Sequence, residues 1–283
     1  MNRLPLVLLT FLTLNTFAQN NPTQDAQPIV AEGKLLYQSE MASWYGTDLF
    51  ISQYKDMASV GGYFSYVDND TAKCVFFSNA ESPKVKGTIT FDSTYNVNTA
   101  NIDIAEREFT AMEHDLYVIR QAAMNALSTN EDGFFKFYQN TNPNLIPLIQ
   151  GEERKVYVLT GTPQSGMVIF GNDYLLTFDQ DNELTSKKQL HQNIIPTEYG
   201  NLQDGKQVTG ALHSHLPETG NFITATDICT LMLYSKFTKW KSYNVVSEKY
   251  LNIWNCETNQ LTVIPRSAME KITKDQKKRK KKN

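Results

Sequence analysis

The chain has 283 residues, of which 41% are hydrophobic and 20% charged. That globular balance excludes disorder throughout, and 14 Gly and 3 Cys exclude collagen-like and disulfide-dense classes. The net charge of −3 is uneven: Lys271–Asn283 holds seven Lys and one Arg against Asp275, a net +7 that leaves the rest of the chain at −10. An acidic body with a short basic tail excludes a nucleic-acid interface on the folded part, where a dedicated binder carries its positive surface.

Residues 1–18 read as a signal peptide. Arg3 supplies charge, Leu6–Leu14 a short apolar core, and Thr16-Phe17-Ala18 small residues at a cleavage site before Gln19. The apolar run is shorter than the roughly 20 residues of a membrane span, so no transmembrane segment is expected. The first cysteine is Cys74, so no lipid anchor on a cysteine just after the signal is expected. The expected location is secreted or periplasmic. With three cysteines, at most one disulfide can form within the chain, and Cys229 falls in an apolar helical run as a buried thiol.

Residues 19–32, polar with Pro22 and Pro28, read as a disordered linker. The N-terminal β-rich region, 33–105, opens with one or two helices up to Lys55 that Gly46 interrupts. It continues as a β-meander of aromatic and β-branched runs at Gly62–Val67, Lys73–Phe77 and Val85–Phe91. The aromatics of Tyr63–Phe77 read as sheet core. Glu106–Ser128 is the clearest helix, with Phe109, Met112, Leu116, Ile119, Ala123 and Leu127 in one stripe and His114 just off it. Strands follow at Val156–Leu159, Met167–Phe170, Asp173–Phe178, Leu184–Ile195 and Val208–Leu212. A helix spans about Thr226–Phe237, and two strands close the domain at Ser242–Val246 and Tyr250–Trp254. The expected class is α+β: a mixed sheet flanked by helices in the C-terminal domain, 106–268, preceded by the meander with its N-terminal helix. Residues 155–254 are expected to share one sheet. Residues 269–283 read as a basic disordered tail.

Two of the four histidines stand in His213-Ser214-His215, at the end of a predicted strand. Positions two apart on a strand share a face, so both imidazoles can chelate one divalent ion. Asp227, twelve residues further and at a helix start, can add a carboxylate. Two His, one carboxylate and a water form an open zinc site, so Zn2+ is the expected cofactor.

The phrase His213-Ser214-His215-Leu216-Pro217, then Thr224-Ala225-Thr226-Asp227, resembles the zinc centre of the JAMM/MPN metalloproteases, whose pattern is His-x-His-Pro followed by Ser-x-x-Asp. The resemblance covers about Gln164–Thr230 and implies a JAMM-like fold and cleavage of peptide or isopeptide bonds. By it, His213, His215 and Asp227 are the metal ligands, and Thr224 stands where the family's oxyanion-stabilising Ser does. Two departures matter. Leu216 displaces Pro217 by one place and threatens to turn His215 away. Gln164, before Gly166–Gly171, occupies the place of the general-base Glu, and an amide cannot take up a proton there at neutral pH. Glu218, Glu153 and Glu198 are the carboxylates that could substitute, with Glu218 nearest the motif. Two readings result. One is an exported zinc metallopeptidase with an altered base, acting on a peptide or protein at the cell envelope. The other is a non-catalytic binding or scaffold module that keeps the fold.

Overall fold

The computed structural model describes residues 21–200 and 207–280; the expected signal peptide lies outside them. The short helix α1 (Pro22–Asp25) leads into α2 (Gln27–Gln53), a helix of 27 residues and about 40 Å. Residues 19–32, expected to be a disordered linker, are therefore helical from Pro22 onward. Pro28 sits at the first turn of α2, where its missing N–H costs nothing. Gly46 does not interrupt the helix. It lets α2 lie against Cys74, whose Cβ is 2.7 Å from where a side-chain carbon would stand.

The meander forms as an antiparallel sheet of β1 (Val60–Asp68), β2 (Thr71–Ser78), β3 (Val85–Phe91) and β4 (Asn101–Asp103), in that order. Phe64, Phe76, Phe77 and Phe91 are buried in it, in keeping with a core role for the aromatics. Helix α3 (Ala111–Thr129) starts five residues later than the periodicity suggested. Arg107 is held in a bridge to Val85, and Thr110 closes a capping box with Glu113 that sets the start. Leu116, Ile119, Ala123 and Leu127 are buried as expected, while Met112 and His114 are exposed in the opening turns.

A second antiparallel sheet takes β5 (Asn142–Gln150), β6 (Glu153–Gly161), β8 (Tyr174–Phe178) and β9 (Leu184–Gln189) in the order β5-β6-β8-β9. Strand β7 (Met167–Gly171) leaves it to pair with β10 (Ile194–Glu198). A mixed sheet follows: β11 (Gly210–Ser214) runs parallel to β12 (Ser242–Val246), which continues antiparallel through β13 (Tyr250–Asn255) to β14 (Gln260–Pro265). Residues 155–254 thus divide among three sheets rather than forming one, because β7 and β10 turn aside to carry the chain between the other two. Helix α4 (Ala225–Thr238) joins β11 to β12, and α5 (Arg266–Lys280) follows β14 directly, so the basic tail is helical over most of its length. The α+β class holds. No helix among the described residues is long and apolar enough to cross a membrane.

Helix α2 is the element common to three cores. Val30 packs in the cluster of Ile228, Tyr243 and Trp254, Leu36 with Leu159, Leu190 and Cys229, and Met41 and Phe50 with the meander. All three cysteines are buried and free, and burial pushes the Cys74 thiol up to about 12.

Candidate metal centre

His213 and His215 lie at the end of β11 and face the interior, with Leu212 and Ser214 pointing outward. The extra residue, Leu216, does not turn His215 away. The His215 N–H donates to the Val246 carbonyl at 2.8 Å, so the ladder continues one position past β11 and the displacement is absorbed in the exposed turn at 216–219. Asp227 sits in the first turn of α4. Its N–H donates to the Thr224 hydroxyl at 3.0 Å and its Oδ2 accepts the Thr224 N–H at 3.0 Å, a reciprocal cap that fixes the carboxylate against the two histidines.

A fourth group completes the cluster. His191, in the link between β9 and β10, places its Nε2 3.1 Å from His215 Nε2 and 3.6 Å from Asp227 Oδ1. His215 Nε2 is 3.2 Å from Asp227 Oδ2, and His213 Nε2 is 3.7 Å from Oδ1. The four residues are buried and offer one donor atom each, all within 4.8 Å of one another, so together they can hold a metal ion. Two donors on one tetrahedral zinc lie about 3.3 Å apart, given metal–ligand distances of about 2.0–2.1 Å. The observed separations bracket that value. His213 Nε2 and Asp227 Oδ1 are also fully buried without a hydrogen-bond partner, a costly arrangement unless something binds them.

Of the ring nitrogens that face away from the cluster, only His213 Nδ1 is hydrogen-bonded among the described residues; His191 Nδ1 faces a carboxylate without hydrogen-bond geometry, and His215 Nδ1 has no partner there. His213 Nδ1 lies 3.0 Å from the Tyr243 hydroxyl, and His191 Nδ1 lies 3.4 Å from the buried Asp173 carboxylate. Burial alone would lower the His191 pKa, but the Asp227 and Asp173 carboxylates raise it to about 10. Burial lowers His213 to about 4. Burial also opposes ionisation of Asp227, yet the imidazoles of His191 and His213 hold its carboxyl well below the ordinary range. Asp227 beside all three imidazoles and Asp173 beside His191 favour positive charge in the centre. Without metal that charge is carried by a protonated His191, which must give up its proton for Nε2 to bind a metal ion.

The remaining candidates are not gathered here. Gln164 is exposed in the loop before β7, and Glu218 is exposed on the turn after His215. Glu153 is exposed and paired with Lys155 at 2.6 Å, and Glu198 is exposed at the end of β10. The Thr224 hydroxyl is engaged as the helix cap. A cleft of about 470 Å³ borders the centre on one side, lined by His191 and His213 and by Gln192, Ile195, Leu216 and Thr219 among others, with no Asp or Glu among the described residues of its wall.

Sequence reasoning missed His191 and Asp173. Neither stands in a ligand-like spacing, and the only local sign was a histidine closing a strand pattern at Leu190-His191-Gln192. Comparison of the chain with protein families, with curated proteins and with solved structures finds no match.

Proposed function

We propose that this chain is an exported, JAMM-like zinc protein in which His191, His213, His215 and Asp227 hold the metal, and that it acts as a binding or scaffold module rather than as a peptidase. Export rests on the charged, apolar and small-residue pattern of residues 1–18. The observation that carries the rest is the convergence of four protein donors, three imidazoles and one carboxylate, in a buried site. That donor set suits zinc, and four protein ligands make the closed kind of site that stabilises folds. When bound, zinc would supply fixed positive charge and tie α4 and β11 to the link before β10. Thr224 and Tyr243 hold their ligands in place, and among the described residues that line the cleft none is a carboxylate that could take up a proton, as general-base catalysis requires.

One observation favours the second reading, a hydrolase of peptide or isopeptide bonds: the cleft ends on two of the metal-binding histidines. Metal analysis of the purified mature protein tests both. One zinc per chain is expected, lost in the His213→Ala/His215→Ala double variant, with chelator lowering the unfolding temperature of the wild type only. Peptide and isopeptide substrates should remain uncut. Zinc-dependent cleavage that the double variant abolishes would establish the hydrolase instead. A wild type that takes up no zinc on reconstitution would remove the centre altogether. Recovery of Met1 at the N-terminus of the native protein would remove export.

A further inference from the structure

His213, His215 and Asp227 come from one continuous stretch, β11 to the start of α4, and by themselves form an open two-histidine, one-carboxylate set. His191 arrives from elsewhere, between β9 and β10, and it lines the cleft as well as the centre. Resting on the zinc centre proposed above, we propose that His191, anchored by Asp173, is a closing arm: it fills the position through which small anionic ligands in the cleft would otherwise reach the metal.

The anchoring is dense. Asp173 follows Gly171 and Asn172, both with left-handed backbone (φ +82° and +54°). A Cβ at Gly171 would stand 2.3 Å from the Asn193 carbonyl oxygen, so glycine is what lets the end of β7 press against the link that carries His191. The Asp173 carbonyl accepts the Leu190 N–H at 2.8 Å, and its carboxylate accepts the Thr160 N–H at 3.2 Å while facing His191 Nδ1. Asn172 is tied to Thr160, Lys136 and Tyr174. Asp173 Oδ2 stands 3.4 Å from His191 Nδ1, an ion-pair distance without hydrogen-bond geometry. Drawn up to hydrogen-bond length when metal binds, a carboxylate behind a ligand imidazole orients the ring and leaves Nε2 for the metal, an arrangement whose loss costs about 10–100-fold in metal affinity. Asp173 is thus a positioning residue, and His191 is the only arm of the four supported in this way.

Cobalt(II)-substituted protein with azide as the probe tests this. The wild type should bind one cobalt, with the strong visible absorption of a four-coordinate ion and no response to azide. His191→Ala should retain one cobalt, change its spectrum on adding azide, and return toward the wild-type spectrum when free imidazole is supplied. Asp173→Asn, which keeps an acceptor oxygen and the side-chain shape, should bind cobalt about 10–100-fold more weakly and respond partially to azide. The proposal is overturned if wild type responds to azide as fully as His191→Ala, or if His191→Ala loses metal as completely as His213→Ala. Should His191→Ala fail to fold, an Asp173→Asn protein of wild-type affinity and without azide response overturns it equally. A wild type that binds neither cobalt nor zinc refutes the centre itself rather than the role of its arm.

Discussion

Glu113 is 1% exposed, yet each of its oxygens has partners. Arg107 donates to Oε2 at 2.6 Å and to Oε1 at 2.8 Å, the Tyr66 hydroxyl donates to Oε1 at 3.2 Å, and the Thr110 N–H donates to Oε2 at 2.9 Å. Burial would raise its pKa, but the Arg107 and Thr110 bonds outweigh burial and hold it below the ordinary value. A carboxyl lowered in the folded state contributes stability that is complete above its unfolded value, about 4.3, and is lost as pH falls through the folded value. Glu113→Ala should therefore cost about 2 kcal/mol in urea unfolding at pH 7: Arg107, a third exposed and still bonded to Thr88 and the Glu108 carbonyl, loses its ion pair, while Tyr66 and the Thr110 N–H lose their acceptor. The gap from wild type should narrow below about pH 4. An unchanged gap at low pH would show that packing, not charge, is what Glu113 supplies.

At the scale of elements, the contact between α2 and α4 sets where Asp227 can stand. Gly33 is the crossing point. A Cβ there would lie 2.7 Å from Ile228 Cβ and 2.9 Å from the Ala225 carbonyl oxygen, so the helices approach more closely than any side chain allows. Ala225 and Ile228 flank Asp227 in the same turn, and the cap from Thr224 completes that turn. Gly33→Ala gains helix propensity but forces α4 outward, at a net cost of about 1–3 kcal/mol. Because α4 carries a ligand while β11 does not move with it, the variant should also bind zinc more weakly in a chelator-competition titration. Wild-type affinity alongside a lowered unfolding temperature would separate the packing contact from the centre.

Over the whole molecule, α2 joins what the composition suggested were separate regions. It contributes to the core beneath the mixed sheet, to the core beside β6 and to the core of the meander. A fragment of residues 106–268 would leave Ile228, Leu190 and Cys229 without Val30 and Leu36, exposing a contiguous apolar face. Such a fragment should show no cooperative thermal transition and should bind a hydrophobic dye, whereas 21–268 should melt cooperatively. A sharp transition for 106–268 near that of the full chain would establish it as an independent domain.

Local chemistry determined much of this in the sequence itself. The aromatic and β-branched runs of the meander, the stripe of α3 and the pairing of His213 with His215 on one face each depend on a period that neighbouring residues carry. Asp227 was legible from its place at the start of a predicted helix twelve residues after His215, while the cap that Thr224 forms with it emerged only in the structure. The strand at Asn142–Gln150 was hidden by Pro143 and Pro147, which only its place at a sheet edge tolerates. The full length of α2 was hidden by polar residues and by glycines whose use is close packing, a relation to residues up to about two hundred positions away. His191 and Asp173 were decided by tertiary structure alone. They meet the histidine pair only because β7 leaves one sheet to pair with β10, and no spacing along the chain encodes a contact that arises from the way sheets stack.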